Sequence, residues 1–230
     1  MMKRILLLLC IVCACRNVAI SQTVKPVRLS FVPIINSSPI VLDQHYFATE
    51  LNDSISISKL KFYISNIVLL NNEKVVYKNT GAVYLLNAED SLSLQFDVPQ
   101  NLQFNRIQYG IGIDSVTNTS GALDGALDPL MGMYWTWQSG YINFKMEGFV
   151  GNLEQEDKKF EYHLGGYSDK NNAFQFVDLI IQPTSENIQF QMPIDIIFKS
   201  IFSEKKYNIM SPSASAVSLS KKIAQSILVK

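Results

Sequence analysis

Residues able to do chemistry are sparse in this chain, and most of them crowd into positions 110–140. Asp114, Asn118, Asp124 and Asp128 lie there among glycines, followed by Met131, Met133, Trp135 and Trp137. Carboxylate and amide oxygens in a glycine-rich loop are the donors Ca²⁺ takes. The spacing is not that of an EF-hand. The same residues also build turns, since Asp and Asn side chains close Asx turns and Asp128 precedes Pro129. The thioethers of Met131 and Met133 could meet a cuprous ion or fill a core. Both tryptophans of the protein sit here, two residues apart. On an extended backbone they share one face, where a pair of core aromatics is the plainer alternative.

Only two histidines accompany them, His45 and His163. His163 alternates with Phe160, Tyr162 and Leu164 and so shares the outward face with Glu161. A neutral imidazole there could ligate copper or simply hydrogen-bond at the surface. His45, in Asp43-Gln44-His45-Tyr46, belongs to no motif. The three cysteines, Cys10, Cys13 and Cys15, all lie near the start. If that segment is removed, the remaining domain has no thiol, which excludes disulfides and cysteine-ligated centres such as blue copper. Enzyme signatures are missing: no G-x-S-x-G, H-E-x-x-H, phosphate loop or dinucleotide fingerprint occurs. A paired-carboxylate hydrolase would need Glu147 and Asp114 to meet in space. The chain is therefore expected not to be an enzyme.

Residues 1–21 read as a secretory signal. Lys3 and Arg4 form its basic end and Ile5 to Val12 its apolar run, too short for a membrane span. Cleavage before Gln22 is the favoured exit. Val12-Cys13-Ala14-Cys15 also resembles a lipobox, which would place a lipid anchor on Cys15. Cleavage at Gln22 removes Lys3, Arg4 and Arg16 and no acid, taking the net charge from 0 to −3. No later apolar run is long enough for a second span, and the balance of 20 basic and 20 acidic residues leaves no basic patch for nucleic acid. The expected location is periplasmic or secreted.

The elements that must position these residues follow a period of two. Ile55, Ile57 and Leu60 lead into Phe62, Ile64, Ile67 and Leu69. Leu92, Leu94 and Phe96 alternate with polar residues. In Tyr141–Glu147, Ile142, Phe144 and Met146 share one face, and Asn143, Lys145 and Glu147 the other. Further runs cover Phe160–Leu164, Phe174–Ile181 and Ile188–Phe198. About ten short strands joined by turn residues predict an all-β, antiparallel β-sandwich, a single domain over residues 22–230. A 47% hydrophobic composition can fill its core. The one helix expected is C-terminal, capped by Ser213 or Ser215, with Ala216, Leu219, Ile223 and Ile227 on one stripe. Residues 110–140 form a long loop, and its aromatic end argues for a functional element rather than disorder.

At this point a resemblance becomes specific. From Gly112 the chain reads GIDSxxNxxGxLxGxLDPxxGMYWTWQSGYxxFKxEG, then Phe160-x-Tyr-His-Leu-Gly-Gly166. Together with Lys61-Phe62-Tyr63-Ile64-Ser65-Asn66-Ile67 upstream, this resembles the methanobactin-associated MbnP-like family over roughly residues 28–200. The resemblance implies a periplasmic or secreted protein encoded with a dihaem, cytochrome c peroxidase-like partner. It implies a copper site made by histidine beside a tryptophan oxidised to kynurenine. Carried over, those residues are Trp135 or Trp137, with Trp137 preferred, and His163. The alternative is a non-redox binding β-sandwich whose loop is ordered by calcium at Asp114, Asp124 and Asp128.

Overall fold

The computed structural model describes residues 23–48, 53–152, 155–182 and 186–230. The expected signal segment, residues 1–21, its expected cleavage before Gln22 and the alternative lipid anchor at Cys15 all fall outside the described residues. The first strands are β1 (Val24–Ile35), β2 (Ser38–Pro39), β3 (His45–Ala48), β4 (Asp53–Asn71), β5 (Lys74–Asn87), β6 (Ser93–Pro99) and β7 (Arg106–Ile111). After an irregular excursion come β8 (Tyr134–Thr136), β9 (Gly140–Asn152) and β10 (Gln155–Gly165). The pair β11 (Tyr167–Ser168) and β12 (Asn171–Asn172) is short, and is followed by β13 (Gln175–Ile180) and β14 (Asn187–Pro193). Two more short strands, β15 (Asn208–Ile209) and β16 (Leu228–Val229), flank the last helix.

Apart from β11 and β12, which pair only with each other, these strands form two facing sheets, as expected of a sandwich. The smaller runs β16–β14–β1, with β6 and β2 along the other edge of β1. The larger runs β13–β7–β4–β9–β10–β15. The long β4 organises it. β9 and β7 follow one another along one of its edges, and β3 and β5 along the other. Apolar positions from both sheets fill the space between. Phe31 of β1 meets Phe62 of β4 edge-on at 5.4 Å, Tyr109 of β7 at 5.8 Å and Phe190 of β14 at 5.1 Å between ring centres.

Two slips in the alternation along β4 have a physical cause. Between Ile57 and Leu60 the pairing to β9 shifts at Ser58, and between Ile64 and Ile67 the pairings to β5 and β7 shift at Asn66, whose φ is 53°. Each shift inserts a residue and restores the apolar face to the core.

The antiparallel expectation needs correction. β1 pairs with β14 in parallel over Arg28–Ile34, and β10 pairs with β15 in parallel. A second correction concerns the run Ile188–Phe198, which is a strand only to Pro193. From Asp195 the chain is a helix, here α2 (Asp195–Glu204), preceded by a short α1 (Ser115–Thr119) and followed by α3 (Ala214–Ser226). Ile194, Ile197, Phe198, Ile201 and Phe202 are buried at helical spacing. A short apolar run does not distinguish the two periods. The expected C-terminal helix is α3. Ser213 caps it, its Oγ accepting the Ala216 N–H at 3.2 Å, and Ala216, Leu219 and Ile223 face the core. Among the described residues, no helix is long and apolar enough to cross a membrane.

Candidate metal centre

The outward face of the larger sheet is not left to solvent. Where β4, β9 and β10 lie side by side, their outward residues stand in register as two rows. Lys59, Glu147 and Glu161 form one, and Lys61, Lys145 and His163 the other. His163 Nε2 lies 2.8 Å from Glu147 Oε1. Lys59 Nζ reaches Glu147 Oε2 at 3.2 Å, and Lys145 Nζ reaches Oε1 at 3.5 Å. Lys159 Nζ holds Glu161 at 2.7 Å. One ligand atom each from Glu147, Glu161 and His163 falls within 4.8 Å of the others. His163 does share the outward face with Glu161, as alternation implies, but it is only 6% exposed.

Burial would raise the Glu147 carboxyl. Hydrogen bonds from His163 and Lys59, with the charges of Lys145 and Lys59, instead hold it at about 2. Burial lowers His163 below the usual imidazole value, outweighing the Glu147 hydrogen bond that raises it. At neutral pH the cluster is a buried carboxylate, a neutral imidazole and their ammonium partners. Both carboxylates are already engaged by lysines, so the grouping does not offer a dication the open acidic pocket that its residue types alone would suggest.

Residues 112–139 fold down over this face and are tied there by specific bonds. Asp114 caps α1, its Oδ1 accepting the Thr117 N–H at 2.8 Å, while Asn66 Nδ2 donates to Oδ2 at 3.1 Å. Asn118, 2% exposed, donates to Ile113 O at 2.9 Å and accepts the Tyr141 N–H at 2.8 Å. The Tyr141 hydroxyl donates to Leu127 O at 2.9 Å and accepts from Leu123 N at 3.0 Å. Tyr63 OH donates to Ala126 O at 3.0 Å, and Lys145 Nζ to Gly132 O at 2.9 Å. Underneath, Tyr63, Ile113, Leu127, Met133, Tyr141 and Ile142 make a second apolar cluster, with Trp135 at its margin.

Trp135 sits against β10 itself. A Cβ placed on Gly165 would stand 2.8 Å from Trp135 Cζ3, so the glycine leaves room for the indole. Gly165 is the next outward position after His163 on the same strand, ~7 Å along it. Trp135 Nε1 is buried with no acceptor among the described residues. Trp137 does not share this seat and is 73% exposed. The structure thus brings Trp135, not the preferred Trp137, towards His163.

The remaining candidates are dispersed. Asp114 and Asp128 are helix caps, Asp128 Oδ1 accepting the Leu130 N–H at 2.8 Å. Asp124 is exposed and makes no side-chain cap bond. Among the described residues no grouping of these three carboxylates forms. Glu147 likewise lies in the lysine cluster while Asp114 caps α1, so that carboxylate pair is not assembled. Met133 is packed at 0% exposure and Met131 points outward. His45 is exposed on β3, three strand spacings from β10, or ~14 Å across the sheet. It cannot share an ion with His163. Glu147, Lys59 and Lys145 carry the geometry around His163, yet sequence reasoning gave the two lysines no role and set Glu147 only against Asp114. The signal was there in the polar face of Lys145 and Glu147, but only the β9–β10 register aligns it with His163.

The sequence model of the MbnP family matches residues 24–212. Among solved structures the fold is similar to that of MbnP from Methylosinus trichosporium, with a TM-score of 0.59 at 13% identity, covering 85% of this chain and 87% of that one. At that identity the likeness concerns the fold. No curated protein matches the sequence. The family match spans both sheets, the excursion and the β9–β10 hairpin that carries His163, and on that ground the chain belongs to the MbnP family.

Proposed function

We propose that this protein is a secreted or periplasmic copper-handling member of its family, in which Trp135 is oxidised to kynurenine by a dihaem, cytochrome c peroxidase-like partner and then joins His163 in holding copper. The observation that carries this reading is the seat of Trp135 on Gly165, next to His163 on one strand face, with its buried Nε1 unpaired among the described residues. An unpaired buried N–H costs about 1–3 kcal/mol, and such groups call for an explanation beyond packing.

The fit to copper is conditional on that oxidation. As translated, the centre offers one good donor, the neutral imidazole of His163, since the carboxylates are held by lysines and His45 is too distant. An intact indole has no in-plane lone pair. Opening its five-membered ring across C2–C3 with O₂, and releasing the formyl group to water as formate, leaves a carbonyl and an aromatic amine. Both can donate to a metal. The chain's own part is to hold the ring beside the imidazole and cover both with the excursion.

Contact with the partner falls to the same excursion. Trp137, Leu130 and Val116 all stand out from it into solvent. Apolar side chains on the excursion that carries Trp135 suit docking of a partner that activates the ring without entering the site, with O₂ supplying the oxidising equivalents of the ring opening.

Intact-mass measurement and peptide mapping after co-expression with the dihaem partner test the reading. A mass gain equal to one O₂ less one CO, mapped to Trp135, is expected. Both tryptophans remaining unmodified in protein that has met an active partner would overturn it.

A further inference from the structure

A carboxylate only accepts hydrogen bonds, so at 2.8 Å the proton between Glu147 Oε1 and His163 Nε2 belongs to the imidazole nitrogen. A neutral imidazole carries one N–H. With that proton on Nε2, the lone pair is on Nδ1. Glu147 is itself fixed, by Lys59 at 3.2 Å and Lys145 at 3.5 Å, and Lys145 is anchored in turn to Gly132 O of the excursion at 2.9 Å. We propose that Glu147 is the positioning residue of the copper donor: it selects the His163 tautomer that presents Nδ1, while Lys59 and Lys145 keep its carboxylate from becoming a ligand. The inference rests on the reading of His163 as that donor.

The arrangement follows the logic of carboxylate–histidine pairs around metals, in which the outer carboxylate orients the ring. It differs in its cations. Without them, Glu147, Glu161 and His163, with donor atoms within 4.8 Å, would form a carboxylate–histidine set suited to zinc. Lys59, Lys145 and Lys159 occupy both carboxylates, so a dication must displace ammonium groups to enter. A singly charged, soft ion bound through nitrogen need not. The lysines therefore bias the centre towards a cuprous ion and against zinc.

The test uses metal-free protein made without the partner, so it does not depend on tryptophan oxidation. Nitrogen-15 NMR of the two imidazoles, assigned with His45→Gln, reads the His163 tautomer directly. A proton on Nε2 is expected in the parent, and a mixture of both tautomers in Glu147→Ala. A proton on Nδ1 in the parent, or an unchanged single tautomer in Glu147→Ala, overturns the proposal. The parent measurement decides even where that variant fails to fold. Zinc calorimetry gives a second reading. The Lys59→Met, Lys145→Met double variant is expected to bind at least about tenfold more tightly than the parent. Equal binding by the two would show that Lys59 and Lys145 do not guard the Glu147 carboxylate. Should the copper reading itself be wrong, tryptophan remains unoxidised while the Nε2 tautomer persists, so the two failures are told apart.

Discussion

Replacing Gly165 by alanine probes the seat of Trp135 with a single methyl group. The new Cβ would lie 2.4 Å from the Tyr141 carbonyl oxygen and 2.8 and 3.1 Å from two atoms of the Trp135 ring. The carbonyl cannot retreat easily, because Tyr141 is fully buried and held through its N–H by Asn118 and through its hydroxyl by Leu127 and Leu123. Relief of the carbonyl contact therefore needs a shift of β10 itself, and the ring must give way with it. Overpacking of this kind costs about 1–3 kcal/mol, and a contact with fixed backbone belongs near the top of that range. For a chain of this size, about 2–3 kcal/mol lowers Tm by roughly 5–10 °C. With Trp137→Phe as background, Trp135 is the only indole left, so fluorescence reports on it alone. Gly165→Ala should shift its emission to the red and lower Tm together. An unchanged melting curve with unchanged emission would mean that Trp135 does not lie on β10, and the reasoning about the centre would fail with it.

Other perturbations reach the same assembly by different routes. Asn118→Ala leaves the Tyr141 N–H without its acceptor and the Ile113 carbonyl without its donor. It should cost about 2–4 kcal/mol in urea unfolding and expose the excursion to protease. Acidification should weaken the fold in two stages. The folded His163 value lies below 6.5, so the unfolded chain takes up that proton first and stability falls as pH drops below 6.5. Glu147 is held at about 2 against an ordinary 4.5, so its contribution is complete above 4.5 and is lost as pH falls from there towards 2. Denaturant titrations across pH should show both stages, and His163→Gln should remove the upper one. Calcium or a chelator should leave Tm unchanged, because Asp114 and Asp128 serve as caps and Asp124 stands apart. A calcium-dependent rise in Tm would contradict that placement.

The architecture was largely legible in the residues. Even the broken alternation Ile55, Ile57, Leu60, Phe62, Ile64, Ile67 carried information, since each odd step marks an inserted residue at Ser58 or Asn66. Ser213 and the Ala216, Leu219, Ile223 stripe identified α3 correctly. The misread stretch was the end of the run Ile188–Phe198, from Ile194 on, where apolar residues are too dense for strand and helix periods to separate. Parallel pairing of β1 with β14 was invisible too, because the partners lie at opposite ends of the chain. At the candidate centre, Trp135 and His163 were singled out by type and by the family motif. Their environment was not, since Glu147, Lys59 and Lys145 converge only through the registers of three strands. The dispersal of Asp114, Asp124 and Asp128 was hidden for the converse reason: nearness in sequence did not become nearness in space.

The parallel contact between residues 28–34 and 187–193 also dictates an order of assembly. A chain delivered N-terminus first can lay residues 24–30 against residues 93–99 early, but the opposite edge of that first strand stays bare until nearly the whole polypeptide has arrived. Contacts so distant along the chain slow folding, and a bare strand edge invites wrong neighbours while it waits. Shortening the protein from its far end past residue 193 should therefore not trim it by degrees. It would withdraw a neighbour of the first strand made, and leave a nearly full-length product unable to close.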